Sequence, residues 1–270
     1  MRVALIGGTG FVGGYLTDAL LAAGHEPALL VRSGSEPKVR QGNRAAITTG
    51  DIESPEALRS LLEGCDAVIY TVGSLREIPR EGVTFEATQY DGVVRTVAAA
   101  TDAGVKRLLL MSANGVKRPG TAYQETKRRA EEHAMQSGLD VTVLRPSVIF
   151  GDPRGTMEFA TQLNQEMVRP PIPAVGFFSG WSTKKGAVVM SPVHIDDVSS
   201  AFVAALEDEA TIGQTISLGG PEAVTWPEMI RRIAAATGKR KICLLYTSPS
   251  PRDFSCNLVC RLLLGKGGGG

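Results

Sequence analysis

Apolar and polar positions along this chain form blocks that predict strands separated by helices. Short apolar runs over 3–6 and 25–32 are typical of buried parallel strands. From Phe11 to Leu20 the apolar residues recur at helical spacing instead. Strands that alternate with helices indicate right-handed crossovers and a parallel sheet with helices on both faces. The pattern therefore predicts an α/β fold built on a doubly wound parallel sheet.

The same periodicities predict the remaining elements. Strands are predicted over 45–49, 66–72, 105–111, 139–144 and 215–218, and helices from 54, over 85–103, from 121, and over 155–169, 197–206 and 226–236. A loop is predicted over 75–84.

Several helix starts carry capping signals. Ser54, Asp196 and Thr225 are predicted N-caps, because each precedes a helical pattern and offers a side-chain oxygen. Thr121, followed three residues later by Gln124, fits the capping-box pattern.

A glycine-rich turn connects the first predicted strand to the first predicted helix. Glycines at 7, 8, 10 and 13 satisfy both the Gly-x-Gly-x-x-Gly and the Gly-x-x-Gly-x-x-Gly patterns. They let the chain turn tightly, let backbone approach a pyrophosphate and let helix pack close to strand. The helix start adds unpaired N–H groups and a positive dipole end. Because the pattern follows a strand and opens a helix, it predicts a dinucleotide site rather than a merely tight turn.

The residue that closes the second strand bears on which dinucleotide binds. NAD-specific folds of this kind place an acidic residue there to bind the ribose hydroxyls. This chain has Arg32, which suits a 2′-phosphate, so the sequence favours NADP(H), with NAD(H) as the alternative. A solvated arginine without a ligand is the competing interpretation.

Asp51 follows the third predicted strand. Because Ser54 already caps the next helix, Asp51 is available to meet the adenine. A plain turn aspartate is the alternative, and both interpretations stay open.

Two polar residues share one face of the helix that begins after Thr121. Tyr123 and Lys127 are four residues apart, so their side chains lie on the same face. A phenol with a pKa of about 10 is a poor base at neutral pH, and a nearby ammonium lowers that pKa. Lys127 is also suited to hold the nicotinamide ribose; a modest surface pair with Glu131 is the alternative. Ser112 ends the fifth strand, where ligands bind in such sheets, and is placed to hydrogen-bond a substrate oxygen.

Composition narrows the class of partner. The chain has 29 basic and 28 acidic residues, interspersed, with a net charge of +1, so no footprint for nucleic acid is present. No apolar run approaches a membrane span, and the early first strand leaves no room for a signal peptide, so we expect a cytoplasmic protein. Peripheral membrane or protein-complex contact and the oligomeric state stay open. Cys65 is the only cysteine before residue 243, which favours neither a disulfide framework nor a metal site.

The segment 169–181 is rich in proline and glycine and carries Phe177, Phe178 and Trp181. We expect these aromatic residues to pack within a small substrate-side lobe, with a substrate gate or membrane-surface contact as the alternative. His194 precedes two aspartates at a predicted helix start, and we expect it to be structural.

Helical and strand periodicity end at Cys243. Residues 243–253 resemble the translation of a transposase adapter used to prepare short-read sequencing libraries, and 258–264 resemble the flow-cell end of the same library. We therefore expect 243–270 to be adapter-derived and the natural chain to continue differently after about Ile242, and we exclude this tail from the fold prediction.

Several motifs together resemble short-chain dehydrogenases/reductases of the extended or atypical kind, in the branch similar to the nucleotide-binding accessory subunit of respiratory complex I. These motifs are Gly-Gly-Thr-Gly-Phe-Val-Gly at 7–13, Gly50-Asp51, Met111-Ser-Ala-Asn-Gly, Tyr123-x-x-x-Lys127, Leu144-Arg-Pro-Ser-Val-Ile-Phe-Gly, Ser191-Pro-Val-His-Ile-Asp-Asp-Val and Leu218-Gly-Gly-Pro-Glu. The resemblance implies an NAD(P)-binding, epimerase/dehydratase-like Rossmann fold with Ser, Tyr and Lys as the catalytic set of active members. Gln89 departs from it, because extended members usually carry asparagine at that point. The branch also includes members that bind nucleotide without turnover.

Site residues follow from these motifs and from the resemblance. The predicted catalytic residues are Ser112, Tyr123 and Lys127, and no metal site is predicted. The predicted cofactor contacts are Gly7, Thr9, Gly10, Phe11, Val12, Gly13, Arg32, Asp51, Ile52, Val72, Lys127, Pro146 and Val148, the last two because the resemblance implies that this stretch passes the nicotinamide.

Two hypotheses about function belong to different classes. The first is an NADP(H)-dependent oxidoreductase, or a sugar-type epimerase/dehydratase relative, acting on an unidentified small-molecule substrate. The second is a nucleotide-binding assembly or stability factor without turnover. In either case we expect a dinucleotide-binding Rossmann domain over 1–145 and a small substrate-side lobe, with returning elements of the sheet, over 146–242.

Overall fold

The structure is a computed structural model that describes residues 1–40, 42–74, 77–179 and 188–248. Its strands, in chain order, are β1 (Arg2–Ile6), β2 (Glu26–Val31), β3 (Ala46–Thr49), β4 (Ala67–Tyr70), β5 (Arg107–Met111), β6 (Asp140–Pro146), β7 (Ile149–Phe150), β8 (Ala174–Ser179), β9 (Val189–Met190), β10 (Val193–His194), β11 (Thr215–Leu218), β12 (Val224–Thr225) and β13 (Cys243–Ser248). Its α-helices are α1 (Phe11–Ala22), α2 (Pro55–Leu62), α3 (Gly92–Asp102), α4 (Ala122–Met135), α5 (Phe159–Leu163), α6 (Ile195–Glu207) and α7 (Trp226–Ala236). In these described ranges no helix has both the length and the apolar character needed to cross a bilayer.

Seven strands form one parallel sheet in the order β11-β6-β5-β4-β1-β2-β3. The strand order reverses at β1, which lies between β2 and β4. In open α/β sheets ligands bind at the carboxyl ends of the strands beside such a reversal. Helix α1 packs against α6, and α3 packs against both α2 and α4, which gives two helical layers. The predicted doubly wound Rossmann fold is confirmed.

The central strands form the core because their apolar runs are buried on both faces. Every residue of β1 after Arg2 is fully buried, and so is nearly all of β4. Helix α2 adds Leu58, Leu61 and Leu62, the apolar face that its spacing predicts. Each such side chain contributes about 1.5–3 kcal/mol to the free energy of unfolding when it leaves water.

The chain divides into two compact units. The first comprises Met1–Pro146 and Ile195–Leu218 and holds the seven-stranded sheet. The second comprises Ser147–His194 and the chain from Gly219 onward, and packs apolar residues such as Leu163, Trp226 and Ile230 together.

The single helix predicted over 85–103 is two segments in the structure. A π-helical segment, Glu86–Asp91, precedes α3. The Tyr70 hydroxyl donates a hydrogen bond of 2.5 Å to the Thr88 carbonyl, and a Cβ at Gly92 would lie 2.1 Å from that hydroxyl. The wider turn accommodates a buried tyrosine from the neighbouring strand, which helical periodicity does not reveal.

Two other helix starts differ from the predictions. The helix predicted from 155 begins at Phe159, because Glu158 accepts hydrogen bonds from two backbone N–H groups and Gly155 has a φ of +81°. Asp196 is not an N-cap, since α6 already begins at Ile195 and Asp196 lies in its first turn. Thr225 does cap α7, as predicted.

Short strands β7, β9, β10 and β12 are not predicted from the sequence, and further differences lie in loops and in the tail. The loop predicted over 75–84 contains an isolated bridge between Ile78 and Val83 in its described part, and residues 75 and 76 lie outside the described residues. No strand is predicted from Cys243 onward, but the structure has β13 there, and it pairs in parallel with β8. Its Leu-Leu-Tyr-Thr core is β-prone. The side chains of Phe177, Phe178 and Trp181 lie outside the described part of the structure, so their predicted packing stays a prediction.

Candidate active site

The glycine turn between β1 and α1 leaves no space for side chains at two positions. Gly7 has a φ of +102°, and a Cβ there would lie 2.5 Å from the Thr71 Oγ1. A Cβ at Gly13 would lie 2.1 Å from the Gly7 carbonyl oxygen and 2.6 Å from the Gly8 Cα. The Gly10 N–H donates to the Gly7 carbonyl at 3.1 Å and closes the turn. Backbone therefore occupies the volume that side chains fill elsewhere, as close approach to a pyrophosphate requires.

The start of α1 presents backbone N–H groups. Its N-cap is Gly10, so no side chain caps the N–H groups of its first turn, and that turn contains no acidic residue. Thr9, Phe11 and Val12 are partly exposed around this start, and Gly10 is exposed. Uncapped N–H groups with a positive dipole end are suited to a phosphate. The residues present therefore fit the pyrophosphate of a dinucleotide.

Arg32 immediately follows β2, the strand beside β1. Its side chain is exposed, and no residue in the described ranges pairs with its guanidinium. The Ser35 N–H donates to the Arg32 carbonyl at 2.8 Å, which folds the following segment into a turn. Arg32 thus offers an unneutralised positive charge at the carboxyl end of the sheet.

Asp51 and Ile52 follow β3. Ser54 caps α2 as predicted, accepting from the Ala57 N–H at 3.2 Å. One Asp51 carboxylate oxygen accepts from the Glu53 N–H at 3.2 Å, which is the turn geometry of the alternative interpretation. The second carboxylate oxygen keeps its acceptor capacity, so the adenine contact stays a prediction.

Ser112 is held by an extension of the β5–β6 pairing. Its N–H donates to the Leu144 carbonyl at 2.8 Å, and the Asn114 N–H donates to the Pro146 carbonyl at 2.9 Å. Ser112 is 4% exposed, and its Oγ finds no hydrogen-bond partner among the described residues. A buried hydroxyl without a partner is costly, so such a group is expected to meet a ligand or water.

Helix α4 carries Tyr123 and Lys127 on one face. Thr121 and Gln124 form the predicted capping box, which fixes where the helix begins. Tyr123 packs edge-to-face on Phe85, with ring centroids 5.5 Å apart. The Lys127 Nζ lies 5.9 Å from the Tyr123 ring centroid, so the structure brings the pair together.

Lys127 is buried, with 6% of its surface exposed, and its ammonium donates to the Met111 carbonyl at 3.2 Å. Burial lowers the Lys127 pKa to about 8, against the opposing effect of Glu131. Glu131 is itself bound by Arg145, whose Nε donates to it at 2.8 Å. The surface pair with Glu131 is therefore not the arrangement that Lys127 adopts.

A narrow cavity is lined by Val72, Gln89, Ser112 and Lys127, among others. The Gln89 amide uses both of its ends, donating to the Ser74 carbonyl at 3.0 Å and accepting from the Thr126 hydroxyl at 3.3 Å. Gln89 thus ties the segment after β4 to α4. Its hydrogen bonds hold the walls of the cavity in place.

The last two predicted cofactor contacts fall in different units. Pro146 is buried at the end of β6 in the first unit. Val148 belongs to the second unit, where its carbonyl accepts from the Val193 N–H at 2.9 Å.

Two further residues shape the site: the sequence places both near the cofactor, at the end of the fourth strand, but they are not among the predicted site residues. A Cβ at Gly73 would lie 3.3 Å from the Lys127 Nζ, so glycine leaves room for the ammonium. The Thr71 hydroxyl donates to the Ile6 carbonyl at 3.1 Å and lies against Gly7. Their position directly after the fourth strand, at the ligand edge of the sheet, was the available signal.

The reversal of strand order, the side-chain-free turn and the uncapped helix start define a dinucleotide-binding α/β protein. The model of a family described as NAD(P)H-binding matches residues 7–173, more than half of the chain. The chain belongs to this NAD(P)H-binding family.

Curated relatives include both enzymes and assembly proteins. The chain is 28% identical to ceramide reductase of Caulobacter vibrioides over 88% of this chain and 71% of that protein. It is 26% identical to the photosystem II assembly factor Ycf39 of Synechocystis, over 88% of this chain and 68% of the relative. It is also 26% identical to a mitochondrial NADH dehydrogenase [ubiquinone] 1 alpha subcomplex subunit 9 of Arabidopsis thaliana, over 94% of this chain and 64% of the relative. The chain thus spans 64% to 71% of the length of these relatives.

Solved structures agree on the fold. A UDP-glucose 4-epimerase from Brucella ovis, in complex with NAD, superposes with a TM-score of 0.75 at 18% identity, over 93% of this chain and 88% of that one. At this identity the likeness concerns the fold.

Proposed function

We propose that this protein is an NADP(H)-dependent enzyme, an oxidoreductase or an epimerase/dehydratase-like relative, that acts through Ser112, Tyr123 and Lys127. The observation that carries the proposal is the buried Lys127 ammonium on the same helix face as Tyr123. A buried lysine is costly, and the hydrogen-bond acceptor that the structure gives the Lys127 ammonium among the described residues is the Met111 carbonyl. A role beside a tyrosine at a nucleotide site supplies a reason to keep it.

Each residue has a distinct task in this proposal. Tyr123 exchanges a proton with a substrate oxygen, acting as general acid in one direction and general base in the other. The positive charge of Lys127 favours the phenolate and so lowers the barrier to that exchange. Ser112 directs its unpartnered hydroxyl at the same oxygen and orients it. When bound, the nicotinamide supplies or accepts the hydride.

Arg32 supports NADP(H) as the preferred cofactor. Its exposed guanidinium has no counter-ion in the part of the chain that the structure describes, and it stands where an acidic residue would favour NAD(H). We expect Arg32→Ala to weaken NADPH binding by about 10- to 100-fold and to leave NADH binding unchanged, because a charge-assisted contact to one phosphate is lost. Arg59→Ala, which removes an exposed arginine from α2, is the matched control. Equal losses for both dinucleotides would contradict the assignment.

Tyr123→Phe tests the enzyme proposal. Purified protein is assayed for NADPH oxidation against carbonyl and quinone compounds, including ceramide-like ketones because one relative is a ceramide reductase. We expect the substitution to lower turnover by about 100-fold or more while NADPH affinity is kept. Tyr90→Phe, on the neighbouring π-helical segment, should leave both unchanged.

A nucleotide-binding assembly or stability factor is the second candidate. The relatives that favour it are the photosystem II assembly factor and the complex I subunit, together with Gln89 in place of the expected asparagine. In that case wild-type protein binds NADPH, turns over no compound of the panel, and behaves like Tyr123→Phe. The partner would then be a protein complex rather than a small molecule.

A further inference from the structure

Two residues of opposite charge are buried together between helix α4 and strand β6. Arg145 donates to Glu131 through two nitrogens, from Nε at 2.8 Å and from Nη2 at 2.5 Å, so both carboxylate oxygens are engaged. The Glu131 side chain is 4% exposed, and that of Arg145 is 19% exposed. The Arg128 guanidinium, which is more exposed, lies 3.7 Å from the same carboxylate. The pair is therefore a two-pronged contact shielded from solvent.

Stability is a poor explanation for this pair. Taking two charges out of water is costly, and apolar residues of similar volume in the place of a buried ion pair often give equal or greater stability. In some proteins such a pair is kept because it fixes one arrangement of the elements that it joins. Glu131 and Arg145 join the helix that carries Tyr123 and Lys127 to the strand that pairs with β5. Their place in the fold therefore indicates a role in orientation.

On the helix side, the pair lies one turn from Lys127. Lys127 and Glu131 are four residues apart on α4, so they share a face of the helix. The Lys127 ammonium donates to the carbonyl of Met111, the last residue of β5, at 3.2 Å. Helix α4 is thus fixed at two successive turns, to β5 through Lys127 and to β6 through Glu131.

On the strand side, the residues that flank Arg145 hold the segment that begins with Ser112. The Ser112 N–H donates to the Leu144 carbonyl at 2.8 Å, and the Asn114 N–H donates to the Pro146 carbonyl at 2.9 Å. A shift of Arg145 relative to α4 would therefore shift Ser112 with it. The ion pair closes a circuit of contacts that runs through α4, β5 and β6.

We propose that Glu131 and Arg145 are positioning residues that hold α4 against the end of β6. The pair thereby sets the spacing between Lys127 and Ser112, which the proposed function places at the reacting end of the cofactor. The inference rests on the proposed function only for the cofactor. It requires no turnover, so it holds for an enzyme and for a nucleotide-binding assembly factor alike.

The test separates the two ends of the dinucleotide. Adenosine 2′,5′-bisphosphate keeps the adenine end of NADPH with its extra phosphate and lacks the nicotinamide end. Calorimetric titration measures the affinity of the full-length protein for both ligands. We expect Glu131→Leu/Arg145→Met to bind NADPH about 10-fold more weakly than wild-type protein and the bisphosphate within about twofold of it, because only contacts to the nicotinamide end move. Its melting temperature should stay within about 5 °C of the wild-type value, because apolar residues replace a buried ion pair.

A second pair of the same chemistry supplies the control. Arg232 also donates to Glu222 through two nitrogens, at 2.8 and 2.6 Å, but both side chains are at least half exposed. Glu222→Leu/Arg232→Met should leave both affinities unchanged, because an exposed ion pair contributes little to the arrangement around it.

The outcomes separate this inference from the proposed function. Folded Glu131→Leu/Arg145→Met that keeps the wild-type affinity for NADPH, or that binds both ligands more weakly by the same factor, overturns the positioning role and leaves the cofactor intact. Wild-type protein that binds neither ligand overturns the proposed function itself. If the double variant does not fold by circular dichroism, Arg145→Lys, which keeps the charge without the two-pronged geometry, is measured in its place and the same two affinities decide.

Discussion

The amino and carboxyl edges of the central sheet differ in whether their polar groups have hydrogen-bond partners. At the amino edge, Arg107 donates hydrogen bonds to the Asp140 carbonyl at 2.8 Å and to the Thr142 and Thr211 hydroxyls at 2.8 and 2.9 Å. At the carboxyl edge, the buried Ser112 hydroxyl has no partner among the described residues, and the start of α1 has no side-chain cap.

This difference separates stability from function. Satisfied buried groups rigidify a fold, whereas an unsatisfied buried group is expected to meet a ligand or water. Substitutions at the amino edge should therefore cost stability, and substitutions at the carboxyl edge should cost binding or turnover. The predictions below test that division.

The largest effect is expected at Gly13. A Cβ there would lie 2.1 Å from the Gly7 carbonyl oxygen, so Gly13→Ala must displace α1 from β1. We expect NADPH affinity to fall by about 100-fold or more and the free energy of unfolding to fall by about 2–3 kcal/mol. Gly14→Ala is the control, because its Cβ meets nothing within 4 Å, and it should gain about 0.5–1 kcal/mol. Calorimetry and NADPH titration measure both quantities. Equal behaviour of the two variants would contradict the close-approach argument.

Arg107→Met tests the amino edge. It removes the hydrogen bonds to Asp140, Thr142 and Thr211, and we expect a loss of about 3 kcal/mol in the free energy of unfolding by urea denaturation. NADPH affinity of the folded protein should not change. Arg128→Met, which loses an exposed pair with Glu132, should cost about 0.5 kcal/mol or less. A measurable loss of NADPH affinity in Arg107→Met would break the division between the two edges.

Lys127 makes stability depend on pH. Its pKa is lowered from 10.5 to about 8 in the folded protein, so between these pH values the unfolded chain binds more protons than the folded one. The free energy of unfolding contributed by Lys127 therefore rises with pH, by about 3 kcal/mol in all, from pH 8 to pH 10.5. Urea denaturation across this range should show the rise in wild-type protein and not in Lys127→Met. Parallel curves for the two proteins would mean that the ammonium is not buried.

The smallest effect compares two buried hydroxyls. Ser112→Ala removes one without a partner, and we expect a gain of about 1 kcal/mol in stability together with lower turnover. Thr142→Val removes one that donates to the Thr211 carbonyl at 2.8 Å and accepts from Arg107, and should lose about 1–2 kcal/mol. Thermal denaturation distinguishes the signs. A loss at Ser112 as large as that at Thr142 would show that the serine is structurally satisfied.

The features that the sequence predicts correctly are those determined by residues close together in the chain. The glycine turn, the Thr121 capping box and the buried strands each follow from neighbouring residues, and the structure has all of them. The π-helical segment before Gly92 could not be predicted, because its cause is the Tyr70 hydroxyl from another strand.

The site shows the same limit. Spacing along one helix pairs Tyr123 with Lys127, but the space beside the Lys127 ammonium comes from Gly73, 54 positions earlier. Tertiary neighbours decide these points.

During synthesis, strand β6 receives its outer neighbour in the sheet, β11, after most of the chain has been made. Residues 215–218 pair with it only after the ribosome has delivered the whole excursion through the second unit. During synthesis an apolar strand therefore stays open on one side, which is a recognised hazard for association between nascent chains. Expression at low temperature, or with a holdase chaperone present, should raise the soluble yield, and shortening the chain to end before β11 should abolish it.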